Sequence, residues 1–173
     1  MHSDYKTTRR VDFADTDMAG IVHFANFFRW MESVEHEFFR SFGVRVHEAK
    51  AFGFVRAHAS CDYQRPARYD DELHVRLVVE KKTTKALHYR FEFSAAQEPG
   101  GAPEPLASGR LEVICVTRDT PGGPIRSTLI PPSIADQIEV ASCFTPLSAP
   151  HSLSCPPPTA LPAAATSGSS SPS

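Results

Sequence analysis

One amphipathic helix, with no second one after it, constrains this chain more than any other feature. From Asn26 to Gly43, in NFFRWMESVEHEFFRSFG, the residues Phe27, Met31, Val34, Phe38 and Phe42 recur at steps of three or four and share one face. Arg29, Ser33, His36 and Arg40 gather on the opposite side, and Phe28, Trp30 and Phe39 widen the apolar arc. So broad an arc has to be enclosed. Asn26 is placed to cap the start, and Gly43 to take the left-handed stop.

Beyond the helix the apolar period changes to two. Val55, Ala57, Ala59, Cys61 and Tyr63 alternate, then Leu73, Val75, Leu77 and Val79, then Leu87, Tyr89, Phe91, Phe93 and Ala95, then Leu111, Val113 and Cys115. Each run predicts a strand, and Tyr5 to Ala14 predicts one more before the helix. RPARYDD, KKTTK and EPGGAPEP supply the turns, and links this short favour antiparallel neighbours. The expected architecture is α+β: an antiparallel sheet wrapped around one long central helix. Helices do not alternate with strands, and neither G-x-G-x-x-G nor G-x-x-x-x-G-K occurs, which excludes a doubly wound nucleotide fold. With so little helical cover outside, the sheet predicts a homodimer that protects edges and apolar surface.

At 173 residues the chain accommodates one ordinary domain and an appendage. The composition marks the boundary near residue 140, beyond which Ser, Pro, Ala and Thr dominate and charge disappears. Residues 1–140 are the expected domain, and 141–173 an expected disordered tail, with a partner-binding polyproline segment at Pro156, Pro157 and Pro158 as the alternative. A net charge of -2 leaves no basic stripe for nucleic acid. Cys61, Cys115, Cys143 and Cys155 show no C-x-x-C spacing, so no metal and no redox dithiol is expected. MHSDYKTTRR contains no apolar run of signal-peptide length, and no run of about 18 apolar residues spans a bilayer. The expectation is a cytoplasmic protein without a membrane partner.

The most unusual stretch is Asp15-Thr16-Asp17-Met18-Ala19-Gly20-Ile21-Val22-His23-Phe24-Ala25-Asn26, which leads into the helix. On the residues alone, Asp15 and Asp17 read as turn or capping groups. A chemical reading is also open. Thioester hydrolysis needs a carboxylate to attack the carbonyl or activate water, and donors for the developing oxyanion. Unpaired N–H groups near Phe24 to Asn26, aided by the helix dipole, would be such donors.

VDFADTDMAGIVHFANFFRWMESVEHEFFRSFG resembles the signature of 4-hydroxybenzoyl-CoA thioesterase and related hotdog acyl-CoA thioesterases, and CDYQRPARYDDEL resembles their second block. The resemblance covers roughly residues 8 to 120. It implies a hotdog fold, an acyl-CoA substrate and no cofactor. It also implies that Asp17 is the catalytic carboxylate, as nucleophile or general base, that the Phe24 N–H meets the thioester carbonyl, and that Asn26 opens the helix. Relatives of the bacterial Tol-Pal-associated type carry an aromatic-His pair where this chain has His23 then Phe24, so His23 does not inherit that histidine's role. It stands as a candidate for lining the acyl pocket or for proton transfer.

Other constellations carry less. His58, Ser60 and Asp62 share a strand face but lack the sharp turn a nucleophilic serine needs. Glu32, Glu35 and Glu37 lie on the helix, with Glu35 closest to the apolar arc and so the reserve carboxylate. For coenzyme phosphates the turns offer Arg65, Arg68, Lys81, Lys82 and Lys85; Arg65 and Lys85 are the candidates, Lys85 falling where the resemblance implies a nucleotide contact. Rival readings are an acyl-carrier-protein thioesterase with the same cationic rim, and a non-catalytic acyl-CoA-binding scaffold.

Overall fold

A computed structural model of the chain describes residues 1–46, 52–95, 103–118, 120 and 123–142. The order is β1 (Asp4–Arg10), α1 (Phe24–Ser41), β2 (Gly53–Tyr63), β3 (Glu72–Lys82), β4 (Ala86–Ala95), β5 (Glu104–Arg118), β6 (Ile125–Ser127) and a short α2 (Pro132–Ala135). All pairings between these strands are antiparallel, in the order β1-β3-β4-β5-β2, with β6 added beside the end of β5. Cys143, Cys155 and almost all of the expected tail lie outside the described residues.

α1 lies across one face of this sheet. Its buried side chains Phe27, Trp30, Met31, Val34, Phe38 and Phe39 meet the inward rows Leu73, Val75, Leu77 and Val79 of β3, and Leu87, Tyr89, Phe91 and Phe93 of β4. Full burial of each large apolar side chain stabilises the fold by about 1.5–3 kcal/mol. At Gly109 of β5 a Cβ would stand 2.2 Å from Met31 Sδ. A residue without a side chain leaves that space to the Met31 thioether.

Several boundaries differ from the sequence expectation. The helix starts at Phe24 because His23, not Asn26, caps it: His23 Nδ1 accepts the Ala25 N–H at 3.3 Å. Gly43 does end it, with φ +80°, its N–H on the Arg40 carbonyl and the Val44 N–H on the Phe39 carbonyl, both at 3.0 Å. β1 stops at Arg10, short of Ala14, because Asp12 and Asp15 cap a 3-10 turn over Phe13–Asp15. In β2 a bulge between Arg56 and His58 switches the phase. Phe54 and Arg56 therefore turn toward the helix before it, and Cys61 and Tyr63 after it, whereas Ala57 is exposed rather than in line with them.

The outer sheet face is polar, not the apolar surface expected to need cover. Arg76 pairs with Asp4 at 3.0 Å, Arg90 with Glu80 at 3.0 Å, and His88 faces Glu112 at 3.8 Å across adjacent strands. What the sheet leaves open instead are its two edge strands, β1 and, longer at 11 residues, β2.

Candidate active site

The loop between β1 and α1 is a tight hairpin. Thr16 bridges Val22, the Asp17 N–H reaches the Ile21 carbonyl at 2.9 Å, and the Gly20 N–H returns to the Asp17 carbonyl at 2.9 Å. Gly20 has φ +71°, a left-handed conformation that a side chain would strain. Asp17 Oδ1 accepts the Ala19 N–H at 2.8 Å, which fixes the carboxylate and leaves its other oxygen without a partner among the described residues. The hairpin rests on the RPARYDD turn through the Val22 N–H and the buried Ala67 carbonyl, 2.8 Å apart.

Two bonds tie the hairpin to the helix. The Asp15 carbonyl accepts the His23 N–H at 2.9 Å and Asn26 Nδ2 at 2.8 Å. In the first helical turn, Ala25 N–H is taken by His23 and Asn26 N–H by the His23 carbonyl at 2.9 Å. Among the described residues nothing accepts the Phe24 N–H. The expected group of donors narrows to that one, at the positive end of an 18-residue helix.

A cleft of about 460 Å³ brings the pieces together, lined by Asp17, Ile21, Val22, Phe24, Phe27, Tyr63, Gln64, Arg65, Pro66 and Ala67. Its walls are mostly apolar, with one carboxylate and one guanidinium at hand. Asp17, Phe24 and Arg65 thus share a site. Arg65 is paired with Glu104 while most of its side chain stays exposed. Asn26 is buried beneath the loop and outside the cleft lining, and the His23 ring stacks on Phe24 at 4.5 Å while its Nδ1 serves as helix cap. Both hold the site in shape.

Lys85 stands elsewhere. It follows β3, whose other end, Glu72, pairs with Arg10 beside the hairpin, so most of a strand of 11 residues separates it from Asp17. Lys82 is committed to the C-terminus of α2, donating to the Ala135 and Ile138 carbonyls at 2.8 and 2.5 Å. The Arg68 turn is braced by its backbone, through Arg68 N–H on Asp71 Oδ2 at 2.7 Å.

The helix glutamates are all engaged: Glu37 with Arg9 at 3.3 Å, and Glu32 at 3.3 Å and Glu35 both with Arg56. Glu35 is 2 % exposed and lies between helix and sheet, away from the cleft. Burial pushes its carboxyl up to about 7, against the pull of Arg56 and with the help of Glu32. His58, Ser60 and Asp62 face Glu112, Arg110 and Ser108 across the β2–β5 ladder and form no relay. Among the described residues no group of three His, Cys, Asp or Glu is arranged for a metal ion, and no helix is long and apolar enough to cross a membrane.

Sequence reasoning did not single out Tyr63 as a cleft residue. Its inward phase on β2 was the available signal, but the same phase describes any core residue. Its hydroxyl donates to the Phe24 carbonyl at 3.2 Å.

The chain matches the model of the thioesterase-like superfamily over residues 11–138. It is 39% identical over 88 residues to a putative esterase of Aquifex aeolicus, covering 50% of this chain and 66% of that protein. With the 4-hydroxybenzoyl-CoA thioesterase of Pseudomonas sp. it shares 28% identity over 139 residues, 78% of this chain and 94% of that one. Among solved structures, a gentisyl-coenzyme A thioesterase superposes with a TM-score of 0.65 at 25% identity, covering 76% of this chain and 98% of that one. The Pseudomonas 4-hydroxybenzoyl-CoA thioesterase superposes with a TM-score of 0.68 at 22% identity, covering 78% and 99%, a likeness of fold. With helix, sheet order and family model in agreement, the chain belongs to the thioesterase-like superfamily and has the hotdog fold.

Proposed function

We propose that this member hydrolyses an acyl-CoA thioester to the free acid and CoA, with Asp17 as the catalytic carboxylate and the Phe24 N–H as oxyanion donor. The observation that carries the reading is their meeting in one cleft: a braced carboxylate with an open oxygen beside a helix N-terminus whose first N–H is unpaired. Asp17 attacks the carbonyl carbon, giving an anhydride that water opens, or takes a proton from the water that attacks. Negative charge on the carbonyl oxygen is met by the Phe24 N–H, the C–S bond breaks, and the thiolate leaves and is protonated. No cofactor enters these steps.

The same reading gives a homodimer, alone or paired into a homotetramer. β2 is an open edge that ends at Tyr63 in the cleft wall, and Lys85 is too far from Asp17 in its own protomer to serve that cleft, so a second copy would bring it. Arg65 at the cleft and Lys85 from the partner are the proposed phosphate contacts. Residues 1–140 are the proposed catalytic unit and 141–173 a segment without part in turnover; the free thiols Cys61 and Cys115 accord with a cytoplasmic setting.

The test is release of thiol by the full chain from one acyl group presented on CoA and on acyl-carrier protein. Turnover on CoA supports the proposal. Turnover on the carrier protein alone would replace it with the carrier-protein reading, and binding of acyl-CoA without turnover would replace it with a scaffold.

A further inference from the structure

We infer that the Tyr63 hydroxyl is a positioning group for the reaction: by its bond to the Phe24 carbonyl it holds residue 24, and with it the open N–H, at the place where the thioester oxygen must sit. This rests on the function proposed above and adds to it a residue on the opposite wall of the cleft.

The first turn of α1 is restrained on its loop side by the His23 cap and by the Asp15 carbonyl, which binds the His23 N–H and Asn26. On its strand side the described hydrogen bond is that of Tyr63, reaching from the end of β2 to the Phe24 carbonyl at 3.2 Å. The bond is cross-element, spanning 39 positions of sequence. The ring that carries the hydroxyl is held in its turn. It meets Phe27 edge-on at 5.4 Å, and Phe27 packs edge-on against Phe93 at 5.1 Å and Trp30 at 5.2 Å.

A helix terminus otherwise frays, because its first N–H groups have no intrahelical partner and its first residues are anchored from one side only. Phe24 is 60% exposed, so packing of its own side chain does little to hold it. Displacement of a reacting group by about 1 Å costs on the order of a hundred-fold in rate, so a tether on the donor residue has kinetic weight out of proportion to its stability. The phenol stays protonated at any working pH, its burial and the neighbouring Cys61 pushing it up to about 12, so it remains a donor throughout.

Tyr63→Phe tests this, since the ring and its contacts remain. We expect kcat to fall about ten-fold with KM within about two-fold. The second readout uses a 13C-labelled acyl-CoA analogue with CH2 in place of sulfur, whose ketone stretch moves to lower frequency when an N–H binds it. That displacement should shrink in Tyr63→Phe and return when Tyr63 is replaced by 4-aminophenylalanine, which keeps a donor in place. An unchanged kcat, or an unchanged carbonyl displacement, overturns the inference even if thermal stability falls, because a purely structural tyrosine would produce that pattern. Failure of the underlying function is separate: it would be seen as undiminished turnover in Asp17→Asn, while the analogue still reports on Tyr63.

Discussion

Asn26 Nδ2 donates to the Asp15 carbonyl at 2.8 Å, and this bond joins the loop that carries Asp17 to the helix turn that carries Phe24. Asn26 is 7 % exposed, so its amide has no water to fall back on. Asn26→Ala should cost about 1–2 kcal/mol of stability. It should also lower kcat at least about ten-fold by loosening the carboxylate relative to the donor. Urea unfolding and steady-state kinetics on the same preparation check both.

Gly109 of β5 leaves room for the Met31 thioether of α1. Gly109→Ala forces the fully buried Met31 thioether aside in a filled core and should destabilise by about 1–3 kcal/mol. Trimming Met31 as well should recover part of the loss, since the clash is with the end of a flexible side chain. Midpoints of urea unfolding for both single variants and the double variant measure this coupling.

Glu35 binds its proton more tightly in the folded chain than in the unfolded one, with its carboxyl at about 7 against an ordinary 4.5. Between those values the folded state holds the extra proton, so stability falls as pH rises through the window and stays lowered above it. The loss is about 3 kcal/mol. Glu35→Gln should abolish this slope and be more stable than wild type at pH 8 relative to their difference at pH 4. Parallel denaturant titrations across the range decide it.

Lys82 and Lys85 are neighbours in sequence with opposite expected phenotypes. Lys82→Met removes the donor to the Ala135 and Ile138 carbonyls and should lower thermal stability with KM unchanged. Lys85→Ala should raise KM for acyl-CoA about three- to ten-fold with stability unchanged, in accord with a phosphate contact. Thermal melts and KM for each variant separate the two roles.

The helix and strand rows were legible because burial leaves periodicity in sequence: Phe27, Met31, Val34 and Phe38, and Leu73, Val75, Leu77 and Val79, sit where their spacing puts them. The Asp17 and Phe24 pairing followed from the resemblance together with the chemistry of a helix start. What could not be read has local causes. A single bulge after Arg56 reverses the faces of β2, and no residue type announces it. His23 takes the cap expected of Asn26 because its imidazole, three residues earlier, reaches the Ala25 N–H, while the Asn26 amide finds a carbonyl 11 residues back. Tyr63 reaches the site through a fold-level contact, between elements that sequence alone does not bring together.

The central claim is that Asp17 performs the chemistry, and thiol release from a panel of aryl and aliphatic acyl-CoAs by wild type and Asp17→Asn tests it most directly. Asp17 is exposed and its backbone bonds survive the substitution, so the variant should fold and assemble as wild type does. The account predicts turnover at least about 100-fold lower in Asp17→Asn with acyl-CoA binding retained. Equal turnover in the two proteins would contradict it.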